Sequence, residues 1–111
     1  MKLVELDPKF LHFENDREFR CVEMIGDADG VEFLCPKCFI VNGGAAGTHR
    51  IICWAPRVPL NVGPQPGRWR LVGTGQADLS LVGSSNSVQV MGGCWAHFFV
   101  ERGEVRMAGQ R

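Results

Sequence analysis

The sequence predicts a mainly β protein, a small antiparallel domain over residues 1–111 that is stapled by a zinc ion. Three observations predict this class. Short β-type runs recur between glycine, proline and asparagine breaks, helical periodicity is nearly absent, and pairs of cysteine and histidine flank the runs. With 111 residues, of which 45% are hydrophobic, we expect a single folded domain with a thin core.

The β-type runs occur throughout the chain, and its fourteen glycines and six prolines suit many tight turns. The predicted strands lie near residues 2–6, 18–25, 31–34, 48–54, 68–73, 79–82, 87–91, 95–100 and 104–107. The last two are predicted to form a hairpin in which Gly103 supplies the positive φ of the turn. Asp7 followed by Pro8 also indicates a short helix over 8–13, since these residue types suit a cap and a first helical position.

One connection is unusual, because residues 55–68 hold four of the six prolines and are too long for a simple hairpin turn. Proline lowers the entropy that such a loop loses on ordering. Loops of this size either bind a partner or are plain irregular excursions, and both interpretations stay open. The candidate binding surface around this loop consists of Arg57, Arg68, Trp69 and Arg70.

The formal net charge is zero, but the charges are unevenly distributed. Residues 1–34 carry nine acids and four bases, whereas residues 35–111 carry three acids and eight bases, seven of them arginine. A basic face of this kind can contact nucleic acid or an acidic partner. The alternative is that the two segments lie against each other and partly neutralise one another.

The five cysteines are an odd number, and the first residues do not resemble an export signal. Both observations argue against a disulfide framework and favour a protein of the reducing cytoplasm. Since no apolar run approaches the length of a membrane span, no membrane association is expected. In a reducing compartment, closely spaced cysteines are more often metal ligands.

Cys35 and Cys38 form a C-x2-C turn, which supplies half of a tetrahedral zinc site. Cys94 and His97 form the best second half, because two glycines before Cys94 allow the backbone to bend there. The three cysteines and one histidine would make a closed structural site. The predicted zinc ligands are therefore Cys35, Cys38, Cys94 and His97.

His49 and Cys53 compete for the same role, but positions four apart on a strand lie about 13 Å from each other. They cannot both bind one ion while the strand stays regular. His49 is therefore a candidate substitute ligand or neighbour of the metal, whereas Cys53 and Cys21 are expected to be buried apolar thiols. C-x2-C can also be a pair of unmetalled thiols, or a redox motif. The redox motif requires a strand-to-helix junction, whereas the "FIVNGG" that follows Cys38 is predicted to be strand and turn.

The motifs together resemble small zinc-binding proteins encoded by tailed phages and prophages. The resemblance covers about residues 31–107 and depends on "FLCPKC", "GTHRIICW", "PGRWRLVGTG", "DLSL" and "GGCWAHFFVERGEV". It implies a phage or prophage accessory protein of the host cytoplasm, and it indicates no reaction. The acidic segment 1–30 lies outside the shared pattern. The zinc ligands that the resemblance implies are Cys35, Cys38, Cys94 and His97, with His49 in the same neighbourhood.

Three functions remain open at this point. The leading hypothesis is a non-enzymatic binding module for a protein partner, because the sequence contains no nucleophile elbow, H-E-x-x-H or phosphate-binding loop. The second is nucleic-acid binding through the arginines of the second segment, with tryptophans stacking on unpaired bases. The third is a zinc hydrolase with an open coordination position, for which His49 and Asp78 are the only candidates.

Overall fold

The computed structural model describes residues 1–64, 67–90 and 93–108. Within these residues the chain forms nine strands in three antiparallel sheets and one α-helix, so the predicted β class is confirmed. The helix, α1, spans Pro36–Asn42. The strands are β1 (Lys9–Asn15), β2 (Glu18–Val22), β3 (Gly30–Leu34), β4 (Arg50–Trp54), β5 (Arg70–Val72), β6 (Ser80–Val82), β7 (Ser87–Gln89), β8 (His97–Glu101) and β9 (Glu104–Met107).

The sheets have the strand orders β2-β1-β3-β4, β5-β6 and β7-β8-β9. In β6, β7 and β8 the buried residues alternate with more exposed ones, as the two-residue period of a strand requires. Phe33 of β3 and Phe98 of β8 meet edge to face, with ring centroids 5.9 Å apart. Both side chains are fully buried, so the four-stranded and three-stranded sheets share one hydrophobic core.

A smaller apolar cluster, formed by Leu11, Trp54 and Val58, lies apart from the main core. Val58 and the partly buried Val62 belong to the proline-rich loop, which therefore packs against the four-stranded sheet. Arg68 organises this loop from within. Its guanidinium donates hydrogen bonds to five main-chain carbonyls, those of Val58, Pro59, Val62, Pro64 and Gly67.

Two expectations at the N-terminus were wrong. The predicted strand over 2–6 is a 3-10 turn, Leu3–Leu6, because its two buried leucines are three residues apart and so share one face of a 3-10 helix. The predicted helix over 8–13 is β1, which pairs with β2 on one side and β3 on the other. Pairing on both sides of β1 outweighs the local helix-start signal.

The segment after Cys38 was also misassigned, since it is the helix α1 rather than strand and turn. Pro36 occupies the first turn of the helix, where its missing N–H removes no intrahelical bond. Gly43 ends the helix in the left-handed region at φ 70°, with its N–H bonded to the carbonyls of Phe39 and Ile40. Among the described residues no helix is long and apolar enough to span a membrane.

The acidic and basic halves of the chain do lie against each other. Arg50 of β4 pairs with Asp7 at 3.2 Å and with Glu32 at 3.3 Å, and Arg57 pairs with Asp29. Each of these pairs joins an arginine from the second segment to an acid from the first. The interpretation that the two segments partly neutralise one another is confirmed for these three contacts.

Asp29 is the one buried charged residue among those the structure describes, with 6% of its surface exposed. It accepts the N–H of Phe13 at 2.8 Å, pairs with Arg57 and lies 3.0 Å from Nδ1 of His12. Burial raises the pKa of this carboxyl, but the hydrogen bonds from Arg57 and Phe13 and the nearby positive charge outweigh burial and lower it. The folded state therefore binds this proton more weakly than the unfolded chain does.

We expect Asp29→Asn to be less stable than the parent at pH 7, by about 1–2 kcal/mol, because one charge-assisted contact set is lost. Since the folded pKa is depressed, the contribution of Asp29 is present above the unfolded pKa of 3.8 and disappears as the pH falls through the folded value. The difference in the free energy of unfolding between the parent and Asp29→Asn should therefore become smaller below about pH 4. Urea unfolding from pH 7 to pH 2.5 measures it. The exposed Asp16→Asn is the control, and a gap that stays constant with pH would contradict the assignment.

Candidate metal centre

Four potential ligand atoms converge at one end of β3 and β4. They belong to Cys35, Cys38, His49 and Cys94, and all lie within 4.8 Å of one another. Sγ of Cys94 is 3.7 Å from Sγ of Cys35 and 3.4 Å from Nε2 of His49. Tetrahedral zinc with ordinary Zn–S and Zn–N bonds separates two sulfurs by about 3.8 Å and a sulfur from a nitrogen by about 3.6 Å. The two separations therefore match the edges of a tetrahedral site.

The first three ligands are positioned by one strand pair and the helix that follows it. The N–H of Cys35 donates to the carbonyl of His49 at 2.8 Å, which extends the β3–β4 ladder by one pair and places these residues opposite each other. Cys35 caps α1, and Cys38 lies in the first helical turn, where the N–H of Phe39 bonds the Cys35 carbonyl at 2.9 Å. A single helical turn thus brings Cys38 back beside Cys35.

Cys94 comes from the turn that joins β7 to β8. Gly93 at φ 58° and Trp95 at φ 56° both take left-handed backbone conformations there, and the N–H of Val90 bonds the carbonyl of Ala96 at 2.8 Å. Lys37 of α1 donates from Nζ to the Cys94 carbonyl at 2.7 Å. The turn is therefore tied to the same helix that carries Cys38.

His97 is not part of this cluster, and in this respect the sequence-based ligand set differs from the structure. His97 lies in β8 beside the inward-facing Ala96 and Phe98, so the alternation of the strand turns its side chain to the other face. Its ring stacks on Phe99 instead, with centroids 6.2 Å apart. His49, predicted only as a neighbour or substitute, is the fourth member of the cluster.

The protonation chemistry of the cluster fits a cation. Burial raises the pKa of the Cys35 thiol to about 12, and the nearby Cys94 sulfur adds to this. Burial acts in the same direction on Cys94, but hydrogen bonds from His49 and from the Ala96 N–H lower its pKa to about 7. Sulfurs this close cannot all ionise unless a positive charge lies among them. The set of three sulfurs and one imidazole is a usual one for zinc.

The sequence predicts no strand-to-helix junction at the C-x2-C pair, and this prediction against a redox function is wrong. The C-x2-C pair does occupy a strand-to-helix junction, which a thioredoxin-like motif requires. However, a redox nucleophile needs an accessible thiol with a lowered pKa, whereas Cys35 is buried and its pKa is raised. The convergence of His49 and Cys94 on the same point favours metal binding.

The two cysteines outside the cluster, Cys53 and Cys21, differ in burial. Cys53 is buried, as predicted, and burial raises the pKa of its thiol. The prediction that Cys21 is buried was wrong, because it lies on the edge strand β2, whose residues are mostly exposed.

Asp78 accepts hydrogen bonds from the main-chain N–H groups of Thr74 and Gly75, which makes it a turn-stabilising residue.

The four residues of the predicted binding surface are placed differently from one another. Arg57 pairs with Asp29, and Arg68 holds the proline-rich loop. Trp69 is only 9% exposed, and its indole N–H lies 3.2 Å and 3.3 Å from the carbonyls of Ser85 and Ser87. Arg70 is exposed. Arg68 and Trp69 therefore stabilise the loop and its surroundings, and the binding role of this surface stays a prediction.

Comparison of the chain with family models, curated proteins and solved structures gives no match. The resemblance to phage zinc-binding proteins therefore stays a prediction from the motifs themselves.

Proposed function

We propose that this protein is a non-enzymatic binding module for a protein partner, and that a structural Zn²⁺ holds its fold together. The observation that carries the zinc assignment is the convergence of three thiols and one imidazole within 4.8 Å of one another, with two separations that match tetrahedral zinc. The ion would tie the β3–β4 end and α1 to the β7–β8 turn. Residues from distant parts of the chain would thus share one cross-link.

The ligand set supports a structural role over a hydrolytic one. Catalytic zinc sites usually combine three protein ligands with one position for water, whereas here four side chains converge. Of the two residues that the hydrolase hypothesis needed, His49 is used as a ligand and Asp78 is bonded within its own turn. Neither is left as a general base.

The nucleic-acid hypothesis receives less support from the arginines than the sequence indicated. Arg50 and Arg57 are in ion pairs with acids, and Arg106 pairs with Glu101. Arg68 uses its donors on loop carbonyls. These contacts neutralise or occupy most of the cationic groups that would contact phosphates, so a protein partner is the better proposal. A phage or prophage origin, and a cytoplasmic location, remain what the motif resemblance implies.

The metal content of purified variants tests the ligand assignment. We expect one zinc per chain in the parent and in His97→Ala, and less than a tenth of that in Cys35→Ser and His49→Ala after dialysis against a weak chelator. His97→Ala is the matched control, since it removes an imidazole three residues from Cys94 without touching the cluster. Zinc retained by His49→Ala and lost from His97→Ala would refute the assignment.

A further inference from the structure

A long groove separates two strands that each lie at the edge of a sheet. It has a volume of about 720 Å³, and its walls are residues 49–52 along β4 and residues 87–90 along β7. β4 is the last strand of the four-stranded sheet and β7 the first of the three-stranded sheet. Ile51, Val88 and Trp69, which are buried in the main core, form its apolar floor.

The register fixes which main-chain groups of β4 face this groove. The carbonyl of His49 and the N–H of Ala55 both bond toward β3, so the odd-numbered residues between them do the same. The N–H and C=O groups of Arg50 and Ile52 therefore point to the opposite edge. Within the described part of the chain, no strand pairs with β4 at that edge.

The same reasoning applies to β7. The N–H of Val90 bonds the carbonyl of Ala96 toward β8, so the main-chain groups of Ser87 and Gln89 point away from β8 and toward the groove. The two walls thus present rows of hydrogen-bonding groups to a single space. Unpaired edges of this kind are templates for a further strand.

Trp69 shows how one residue spans this space. At the far end of the groove from His49, its main-chain N–H bonds the Trp54 carbonyl at 2.9 Å, on the same side of β4 as Ile52. Its indole N–H lies 3.3 Å from the carbonyl of Ser87 on the other wall. Trp69 therefore contacts both walls at this end. Between Trp69 and His49 the gap runs about four residues, or roughly 13 Å of extended chain.

The charge of the groove restricts the occupant further. Its described lining contains Arg50, Arg68 and His49 but no carboxylate. Arg50 is paired with two acids, whereas Arg68 has no carboxylate partner among the described residues. All five N–H donors of Arg68 are used on loop carbonyls, so this guanidinium would attract an acidic group in the occupant through its uncompensated charge and not through a hydrogen bond. The exposed Leu60 at the rim adds an apolar contact near the same end.

We propose that this groove binds an extended peptide segment of the protein partner, as a strand inserted between β4 and β7. This inference rests on the proposed binding function and names its site. The bound part of the peptide is about four residues long. It bonds both walls through its main chain and carries apolar side chains toward Ile51 and Val88. An acidic side chain lies at the Arg68 end. Recognition of this kind takes affinity from the main chain and specificity from alternate side chains.

The test starts from a displayed library of random octapeptides, which is selected on the zinc-loaded full chain. We expect enriched peptides rich in β-forming residues with at least one acid. The NMR chemical shifts of the main-chain amides should change on peptide binding mainly at residues 49–52 and 87–90. Replacing the acid by lysine, or N-methylating a central peptide amide, should weaken binding at least tenfold, whereas N-methylation outside the bound core should not.

Two variants at one position separate main chain from side chain. Ile52→Pro removes the N–H that faces the groove and leaves the bonds to β3 in place, so it should weaken binding at least tenfold. Ile52→Ala keeps that N–H and loses only side-chain atoms, so it is the reference from which Ile52→Pro should differ at least tenfold. Should Ile52→Pro fail to fold, the N-methylated peptides probe the same bond from the other side.

Several results would overturn the proposal. They are no enrichment over bare matrix, shifts outside the groove, or equal affinity for Ile52→Pro and Ile52→Ala. A dimer that Ile52→Pro dissociates would identify a second copy of this chain as the occupant. Zinc content is measured on the same samples. If the protein contains no zinc but binds the peptide, only the metal assignment is refuted. If it contains one zinc per chain but binds no peptide, only the groove proposal is refuted.

Discussion

Removing zinc with a strong chelator is expected to lower the melting temperature of this protein by about 15 °C. The loss of a structural metal lowers the free energy of unfolding by about 4 kcal/mol. Each kcal/mol shifts the melting temperature of a domain of this size by about 4 °C. The reason lies in the position of the ligands. Cys35, Cys38 and His49 gather at one end of β3 and β4, whereas Cys94 lies on the β7–β8 turn. Without the ion, three buried or half-buried thiols and an imidazole lose their common partner.

Thermal unfolding followed by circular dichroism, with and without the chelator, measures this effect. Cys35→Ser should melt near the temperature of the chelated parent and should not respond further to chelator. His97→Ala should behave like the parent in both conditions, because its ring contacts Phe99 and not the cluster. An unchanged melting temperature after complete zinc removal would show that any bound metal is incidental to the fold.

Replacing Gly103 by alanine should lower the free energy of unfolding by about 4 kcal/mol, which combines the left-handed backbone strain with severe overpacking. Gly103 has φ 79° in the β8–β9 hairpin, where Arg102 also has a positive φ of 47°. A Cβ there would overlap the carbonyl oxygen of Ala77 and lie 2.7 Å from its carbonyl carbon. Both neighbours are main-chain atoms, so neither can rotate away.

The matched control is Gly43→Ala at the end of α1. Gly43 has a similar φ of 70°, but a Cβ built there meets nothing within 4 Å. Only the backbone strain applies, so its expected loss is about 1 kcal/mol. Urea unfolding of both variants measures the difference. Equal losses would mean that the contact between the hairpin and the 76–78 turn relaxes freely.

The strands were the most predictable part of this fold. Their alternation and the glycine and proline breaks between them indicate eight of the observed strands to within a few residues, and the 101–104 hairpin forms as expected. The helix α1 was not predicted, because "FIVN" has the composition of a strand and its length is only two turns. Pro36 in the first turn and Gly43 at the end were the available signals.

The sequence predicted the residue types of the candidate site, three cysteines and one histidine, but not which histidine belongs to it. C-x2-C spacing brings two thiols together whether the turn is a loop or a helix, so Cys35 and Cys38 could be identified from sequence. The choice between His49 and His97 depends on which face of β8 the imidazole takes. The strand alternation around Phe98 could have excluded His97 once the inward residues were assigned. The groove between β4 and β7 depends on strand order, which no local pattern reveals.

The spacing of the four ligands also bears on how the chain matures as it leaves the ribosome. Cys35, Cys38 and His49 emerge within 15 residues, and Cys94 follows 45 residues after His49. Two sulfurs and one nitrogen of the cluster are therefore synthesised well before the second half of the molecule. We expect nascent chains to acquire their ion at this stage, so that the late-arriving thiol closes a coordination sphere already begun.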